Sequence, residues 1–269
     1  MVIFPYRHFQ SKFDILLNRV PIIGKILSSV FGVFEFLMFK VLRFFDIKLN
    51  INTIIIASGY IFKNRWGGKV IPLDVNLDVE TKFLPSQEIL SLLSRSKVTG
   101  ISTCDCRETQ RKYSDTPNCD HPINTCIHIG FGKSLREIPN KSENLVKVSK
   151  REIKKLLEES DRRGLVHQII YFPNPLFYYV VCNCCPCCCV IMNKFLKSGS
   201  PQMIKSDFMA FTNINKCINC GICEEYCNFG ARKFHKEKLA FLPDYCFGCG
   251  LCVSKCPEKA IILKKKKII

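Results

Sequence analysis

Residues 217–227 read CINCGICEEYC, and residues 246–256 read CFGCGLCVSKC. Each cysteine of the first segment has a counterpart 29 positions later in the second, so the chain carries one pattern twice. In both segments two residues separate the first three cysteines from one another, and the fourth follows after three more. Glycines lie between these cysteines, where little side-chain bulk is tolerated around a metal centre. The repeat therefore predicts two metal centres held by thiolates.

The spacing also predicts which cysteines share a centre. A [4Fe-4S] cluster binds four thiolates, and in this spacing the fourth cysteine of each segment ligates the cluster of the other segment. We assign one cluster to Cys217, Cys220, Cys223 and Cys256, and the second to Cys246, Cys249, Cys252 and Cys227. Zinc is the alternative, but zinc sites use pairs of C-x2-C rather than three cysteines at that spacing repeated twice.

Residues 208–266 resemble a bacterial-type two-cluster 4Fe-4S ferredoxin domain. The resemblance implies a small pseudo-two-fold α+β fold with short hairpins and two short helices, and one-electron transfer through both clusters. The first segment departs from the family pattern, because Asn228 stands where the family has the proline seen at Pro257. Since proline helps to turn the chain after the fourth ligand, we expect Asn228 to loosen that corner without removing a ligand.

The composition indicates a globular protein with many metal ligands. The chain has 269 residues, 47% hydrophobic and 23% charged, and 18 cysteines. Cysteines at this density form disulfides in secreted proteins and bind metals in reducing compartments. The first residues do not read as a signal peptide, and adjacent cysteines are poorly placed to bridge each other. We therefore expect metal ligation and a cytoplasmic location.

Ten further cysteines precede the repeat and form candidates for an additional metal site. Four are Cys104, Cys106, Cys119 and Cys126, and six are Cys182, Cys184, Cys185, Cys187, Cys188 and Cys189. Residues 60–195 resemble the cysteine-rich N-terminal region of uncharacterised ferredoxin-like iron–sulfur proteins, through the segments CDCR, CDHP and CNCCPCCC; the resemblance implies no reaction. One or two further iron–sulfur clusters, or zinc with buried thiols, remain alternative interpretations. His121, His128 and His167 could join as ligands, although each is expected to be an ordinary hydrogen-bonded histidine.

The order of patterns predicts an α+β chain in three parts. Residues 1–66 form an apolar, basic helical segment, 67–197 a cysteine-rich α/β domain, and 208–269 the ferredoxin-type domain, with a linker at 198–207. The clearest helix spans 149–163, because Ser149 and Glu152 form a capping box and Gly164 follows as a stop. Strands are expected at 70–77 and 98–102, a helix at 86–94, and a strand–turn–strand at 165–181.

Charge suggests the class of partner. The formal net charge is +17, and residues 1–70 contain ten Lys and Arg against three acidic residues. A basic protein favours an acidic redox partner or an anionic membrane surface, and residues 1–66 could lie on the inner membrane surface or pack on protein. No stretch is long and apolar enough to span a bilayer. We expect no nucleic acid partner, because no nucleic-acid motif accompanies the lysines.

These patterns predict an iron–sulfur electron carrier with two [4Fe-4S] clusters and no catalytic residues of its own. One alternative is an oxidoreductase whose ferredoxin domain feeds a reactive metal site built from the front cysteines. Another is a structural or regulatory redox sensor.

Overall fold

The computed structural model describes residues 41, 44, 68–71, 93, 96, 98–114, 119–130, 145–171, 178–199, 203–235 and 238–266. In the front part of the chain, which precedes residue 208, the described residues include helices α1 (Asp105–Tyr113), α2 (Lys150–Arg162) and α3 (Val190–Ser198). Its strands are β1 (Gly68–Val70), β2 (Val98–Ser102), β3 (Cys126–Gly130), β4 (Val146–Lys147), β5 (Val166–Tyr171), β6 (Tyr178–Cys184) and β7 (Met203–Ile204). This part of the chain therefore mixes helices and strands, as the sequence predicted.

These seven strands form one sheet in the order β4-β2-β3-β6-β5-β1-β7. All neighbours are antiparallel except β1 and β7, which pair in parallel. Strand β6 lies in the middle, where Ile127 of β3 faces Val181 and Gln168 of β5 faces Cys182. The sheet therefore brings cysteines that are distant in sequence to one central strand.

The alternation of side chains along β3 and β6 separates an apolar face from a cysteine face. Ile127 and Val181 belong to a buried cluster with Ile153 and Leu157 of α2. Their sequence neighbours Cys126, Cys182 and Cys184 consequently point to the opposite side. On that side Cys182 and Cys184 belong to a second cluster, which also contains residues of α3 and of the C-terminal part.

The helix predicted at 149–163 is confirmed as α2 with its capping box. The Ser149 hydroxyl accepts a hydrogen bond from the Glu152 N–H, and the Glu152 carboxylate accepts one from the Ser149 N–H at 2.7 Å. Gly164 follows the helix with φ +72°. A Cβ at this position would lie 3.2 Å from the ring of Tyr226, so the stop also permits close contact with the C-terminal part.

The C-terminal part repeats its elements at the 29-residue offset of the cysteines. Strand β8 (Phe208–Thr212), a 3-10 turn (Ile214–Lys216), helix α4 (Ile222–Glu225) and β9 (Arg232–His235) form the first half. Strand β10 (Lys238–Phe241), a 3-10 turn (Pro243–Tyr245), helix α5 (Leu251–Ser254) and β11 (Ile261–Lys265) form the second. Strand β9 pairs with β10 and β11 with β8, so each two-stranded sheet joins the two halves.

Polar contacts join the end of α2 to the C-terminal part. The Lys255 ammonium lies 3.7 Å from the Asp161 carboxylate, and the Ser254 hydroxyl donates to the same carboxylate at 3.2 Å. The Asn228 side-chain amide donates to the Gly164 carbonyl at 3.3 Å. The residue that replaces the family proline therefore makes a contact with the front sheet's helix. Whether it loosens the corner stays a prediction.

Several sequence predictions have partial outcomes. The strand at 98–102 is confirmed, and β5 and β6 form the expected strand pair, although β6 continues through Cys182 to Cys184. The expected linker at 198–207 contains β7, which joins the sheet edge. The N-terminal segment lies outside the described residues except for positions 41 and 44, as do 72–77 and most of 86–94. The three domain boundaries stay predictions. Among the described helices, none has the length and hydrophobicity that crossing a bilayer requires.

Candidate metal centres

The two cysteine segments of the C-terminal part enter their loops in the same way. A 3-10 turn precedes Cys217, where the Asn213 side chain accepts a hydrogen bond from the Asn215 N–H, and a 3-10 turn opened by Pro243 precedes Cys246. A glycine with positive φ then begins each short helix, Gly221 at +81° in the first half and Gly250 at +86° in the second. The helices carry the third cysteine of each segment.

The first predicted ligand set surrounds one cavity. Cys217, Cys220, Cys223 and Cys256 line it together with Pro257, Ala260 and Ile261. Cys256 belongs to the other repeat and lines the same cavity, although the crossing of the fourth cysteine between clusters stays a prediction. Cys220 is exposed and Cys223 is buried. Solvent or a partner protein can therefore approach this set from the Cys220 side.

The second predicted ligand set is more enclosed, with Cys246 and Cys252 both buried. Burial raises the pKa of Cys249, and the nearby thiols of Cys252, Cys227 and Cys246 raise it further. Burial raises the pKa of Cys252 to about 12, with smaller contributions from Cys246 and Cys227. Cys227, which comes from the opposite repeat, is therefore among the thiols whose charge acts on Cys249 and Cys252.

The surroundings of both sets suit sulfur-rich anionic centres. The Ala231 N–H donates to the Cys227 sulfur and the Ala260 N–H to the Cys256 sulfur, each at 3.2 Å. Backbone N–H groups aimed at cysteine sulfurs stabilise thiolate charge and tune iron–sulfur clusters. Four thiols around a cavity with inward N–H groups fit a [4Fe-4S] cluster, so the residues present match the group that the spacing implies.

Gly248, between the first two cysteines of the second segment, is required by a close backbone contact. Its φ is +64°, and a Cβ built there would lie 2.1 Å from the Phe208 carbonyl oxygen. The Ser206 N–H donates to the Phe247 carbonyl at 3.0 Å, which holds the same loop against the start of β8. A side chain at position 248 would consequently displace the loop that carries Cys246 and Cys249.

A buried arginine lies between the two ligand sets and was not singled out from the sequence. Arg232 is 1% exposed, donates to the Thr212 hydroxyl at 2.8 Å and lies 5.0 Å from the centre of the Phe241 ring. Its positive charge also opposes the rise that burial causes in the pKa values of Cys223 and Cys252, one from each set. The repeat contained a signal for it, because the residue 29 positions later is the buried Ile261.

Comparisons with known proteins identify the family of the C-terminal part. Residues 216–260 match the family model described as a 4Fe-4S dicluster domain. The pyruvate synthase subunit PorD of Methanothermobacter marburgensis is 39% identical over 61 residues, which cover 22% of this chain and 70% of that protein. The chain belongs to the 4Fe-4S dicluster family. Membership rests on the C-terminal part, which we call the dicluster domain (residues 208–266).

Two further relatives match this chain over segments of similar length. An uncharacterised ferredoxin of Methanocaldococcus jannaschii is 36% identical over 56 residues, 19% of this chain and 73% of that protein. The delta subunit of NADH-dependent phenylglyoxylate dehydrogenase of Aromatoleum evansii is 33% identical over 45 residues, 17% of this chain and 48% of that protein. Together these matches support an iron–sulfur electron-transfer role for the dicluster domain. They cover less than a quarter of this chain.

The structure divides the ten front cysteines differently from their order in sequence. Cys119 lies with Cys185, Cys187 and Cys188, and the four sulfurs are all within 4.8 Å of one another; we call them the four-thiol set. The other six form a second group, which we call the six-thiol ring. Its members are Cys104, Cys106, Cys126, Cys182, Cys184 and Cys189. None of these ten described cysteines forms a disulfide.

A second buried arginine stands between these two groups. Arg107 is 1% exposed and donates to the Thr125 hydroxyl at 2.6 Å and to the Asn183 carbonyl at 2.5 Å. It also interacts with Cys104 of the six-thiol ring and with Cys185 of the four-thiol set. Hydrogen bonds from Cys187 and Cys188, supported by Arg107, lower the pKa of Cys185 well below its usual range. A thiolate at Cys185 is the form that binds a metal.

The three histidines named as candidate ligands occupy different surroundings. His128 Nε2 lies 2.7 Å from the Ser102 hydroxyl, and burial lowers its pKa to about 4. His167 Nδ1 lies 2.6 Å from the Asn183 side-chain oxygen. His121 Nδ1 lies 3.4 Å from the Cys119 sulfur, at the edge of the four-thiol set. These ring nitrogens of His128 and His167 are thus directed at side-chain oxygens, whereas that of His121 faces a cysteine sulfur.

Proposed function

We propose that the protein transfers single electrons through two [4Fe-4S] clusters in its dicluster domain. Cys217, Cys220, Cys223 and Cys256 would hold one cluster, and Cys246, Cys249, Cys252 and Cys227 the other. The lining of one cavity by all four cysteines of the first set, across the two repeats, is the observation that carries the proposal. A pseudo-two-fold arrangement of the domain is part of it, supported by the paired elements at the 29-residue offset.

Each cluster would supply a site that accepts and releases one electron near neutral pH. The chain contributes the thiolates, the N–H groups of Ala231 and Ala260 that point at cysteine sulfurs, and, at the second set, the burial of Cys246 and Cys252. Arg232 contributes a positive charge between the two sets. Because buried negative charge is costly without compensation, this guanidinium would stabilise both centres in their more negative, reduced forms.

The first ligand set offers the approach for a redox partner. Exposed apolar side chains flank it, with Ile214 82% and Ile218 60% exposed beside Cys217 and the exposed Cys220. Exposed apolar residues around a functional centre are typical of protein interaction sites. The net charge of +17 favours a partner with an acidic surface. Two relatives are named as enzyme subunits, which supports a partner that is itself a redox enzyme or one of its subunits.

We further infer a cytoplasmic location, with residues 1–66 as a candidate contact with the inner membrane surface. The density of cysteines supports a reducing compartment, and the excess of basic residues in 1–70 supports an anionic surface. Binding of the full chain to vesicles with and without anionic lipid tests the membrane contact. Equal binding to both kinds of vesicle would contradict it.

The crossing of the fourth cysteine makes the proposal testable with four variants of the full chain. Cys220→Ser and Cys256→Ser should abolish the same electron paramagnetic resonance (EPR) signal of the reduced protein, although they lie in different repeats. Cys249→Ser and Cys227→Ser should abolish the other signal. If Cys256→Ser instead removed the signal lost in Cys249→Ser, the ligand assignment would be wrong. Cys187→Ser, outside both sets, is the matched control and should retain both signals.

One observation favours a second candidate function, in which the dicluster domain feeds a reactive metal site in the front part. Cys249 of the second ligand set belongs to the same apolar cluster as Cys106, Cys182, Cys184 and Cys189. A change of the EPR spectrum of the reduced protein on adding cyanide, lost in Cys104→Ser, would indicate an open metal position and support this candidate. An unchanged spectrum would favour the carrier.

A further inference from the structure

The six thiols form a closed ring, in which each thiol acts on the pKa of two neighbours. The order around the ring is Cys104, Cys106, Cys189, Cys184, Cys182, Cys126 and back to Cys104. Several separate elements of the fold produce it. Cys104 and Cys106 begin α1, Cys189 caps α3, Cys182 and Cys184 share a face of β6, and Cys126 begins β3 one step beyond the pair Ile127–Val181.

A hydrogen-bond donor and helix N-termini converge on the six-thiol ring. Buried neutral thiols would not need them. The Gln168 side-chain amide lies 3.8 Å from the Cys189 sulfur. Helices α1 and α3, each of nine residues, direct their N-terminal ends toward the ring because Cys104 and Cys189 are their N-caps. Helix N-termini and N–H donors stabilise thiolates.

Six thiolates would need more positive charge than Arg107, the cation that the described residues place beside them, can provide. Cys184 and Cys189 are buried, and Cys104, Cys106, Cys126 and Cys182 are partly buried. Arg107 is the cation that the structure places beside Cys104. One guanidinium cannot balance six thiolates, and unpaired buried charge is strongly unfavourable. Thiolates in the ring therefore require metal cations.

The size of the ring favours a centre with several metal ions. In a tetrahedral site with Zn–S bonds of about 2.3 Å, neighbouring sulfurs lie about 3.8 Å apart. The four-thiol set meets that spacing, because its four sulfurs all lie within 4.8 Å of one another. Among the described residues, it is the group of three or more potential ligands that is this compact. The six-thiol ring is wider, as are the two ligand sets of the dicluster domain.

We propose that the six-thiol ring binds one polynuclear iron–sulfur centre through its six thiolates. The proposal deepens the electron-transfer function and rests on it, because the dicluster domain is the adjacent source of electrons. Cys249 of the second ligand set shares an apolar cluster with the ring, and the side chains of Phe247 and Leu251 belong to the same cluster. This contact favours iron over a pair of zinc ions, because zinc is not redox-active and could not exchange electrons with the adjacent ligand set.

An independent observation carries a second proposal for the four-thiol set. The Cys119 and Cys185 sulfurs are 3.8 Å apart, and those of Cys187 and Cys188 are 3.7 Å apart. Both distances match the sulfur–sulfur spacing of about 3.8 Å expected around one tetrahedral zinc ion. Since four thiolates around zinc leave no open position, this site would hold the CPCCC segment in place. We infer that the four-thiol set binds a single structural zinc ion.

Metal and sulfide analysis of the full chain, produced without oxygen and with iron and zinc supplied, tests both proposals. Two [4Fe-4S] clusters account for about eight irons per chain. We expect more than that number, with matching excess sulfide, and about one zinc. Cys104→Ser and Cys189→Ser should each lower the iron content to about eight while keeping zinc and both dicluster EPR signals. Serine is a favoured N-cap, so both variants preserve the start of their helix.

Cys187→Ser is the reciprocal variant, and it should lose zinc without losing iron. About eight irons in the parent protein, unchanged in Cys104→Ser, would overturn the iron–sulfur assignment of the ring. Additional zinc that disappears in Cys104→Ser would overturn it as well. Zinc content unaffected by Cys187→Ser would overturn the zinc site. Failure of the dicluster proposal can be distinguished from failure of the ring proposal. It would appear as an iron content that does not change in Cys220→Ser.

Discussion

Arg232 provides the sharpest test of how the dicluster domain sets its redox properties. Replacing it by methionine (Arg232→Met) removes a buried charge but keeps a long side chain in β9. The guanidinium lowers the pKa of one cysteine of each ligand set, so both clusters should respond to its loss. A reduced cluster is more negative than an oxidised one, and a nearby cation stabilises the reduced form. Removing the cation should therefore lower both reduction potentials.

The expected size follows from Coulomb's law. A unit charge roughly 7 Å from a cluster centre, at an effective dielectric constant of about 20, contributes about 2.4 kcal/mol. For a one-electron couple, about 1.4 kcal/mol corresponds to 59 mV, so each potential should fall by about 100 mV. Salt should have little effect on this difference, because Arg232 is 1% exposed and screening acts mainly on exposed charges.

The assay is a redox titration of the full chain followed by EPR, with iron content measured on the same samples. Arg232→Lys is the matched control, since it keeps the charge and should retain most of the potential. Equal potentials in the parent and Arg232→Met, with both clusters present, would refute the reasoning. A shift in one cluster alone would show that Arg232 does not act on both.

Other predictions concern the loop, the helix cap and their controls. Gly248→Ala should prevent full iron loading, because its Cβ would collide with the Phe208 carbonyl, whereas Gly199→Ala, also at positive φ but in open space, should cost only about 1 kcal/mol of unfolding free energy. Equal iron content in the two variants would contradict the steric argument. Ser149→Ala should lower the unfolding free energy by about 1 kcal/mol in chemical denaturation, because it removes the cap of α2. Hydrogen bonds from Ser149 lower the pKa of Glu152, so the carboxylate's share of this stability is present above the usual pKa of 4.5 and is lost as pH falls through the lowered value. If the difference in unfolding free energy between the parent and Ser149→Ala did not shrink as the pH is lowered, this role of Glu152 would be contradicted.

Local signals in the sequence predicted the parts of the fold that depend on neighbouring residues. The capping box of α2 involves residues three positions apart, and the cysteine segments of the dicluster domain carry their spacing within short loops. The strand at 198–207 was missed because β7 is two residues long and depends on pairing with β1, more than 130 positions earlier. Pairing between distant strands leaves little trace in local composition.

The division of the front cysteines could not be read from their order. Cys182 and Cys185 are three positions apart, yet one belongs to the six-thiol ring and the other to the four-thiol set. The end of β6 at Cys184 separates them, because the chain leaves the sheet there and turns toward Cys119. Arg232 was missed for a different reason, since a charged residue is ordinarily expected at the surface. The signal against this expectation was Ile261, the apolar residue at the corresponding position of the second repeat.

Spin quantitation of the reduced full chain tests the central claim most directly. The cysteine repeat is proposed to hold two clusters that each accept one electron, so Cys104→Ser, which removes only the proposed centre in the ring, isolates them. In this variant, double integration of the EPR spectrum should give about two spins per chain with about eight irons. One spin with about four irons, or a protein that contains zinc and no iron, would contradict the account.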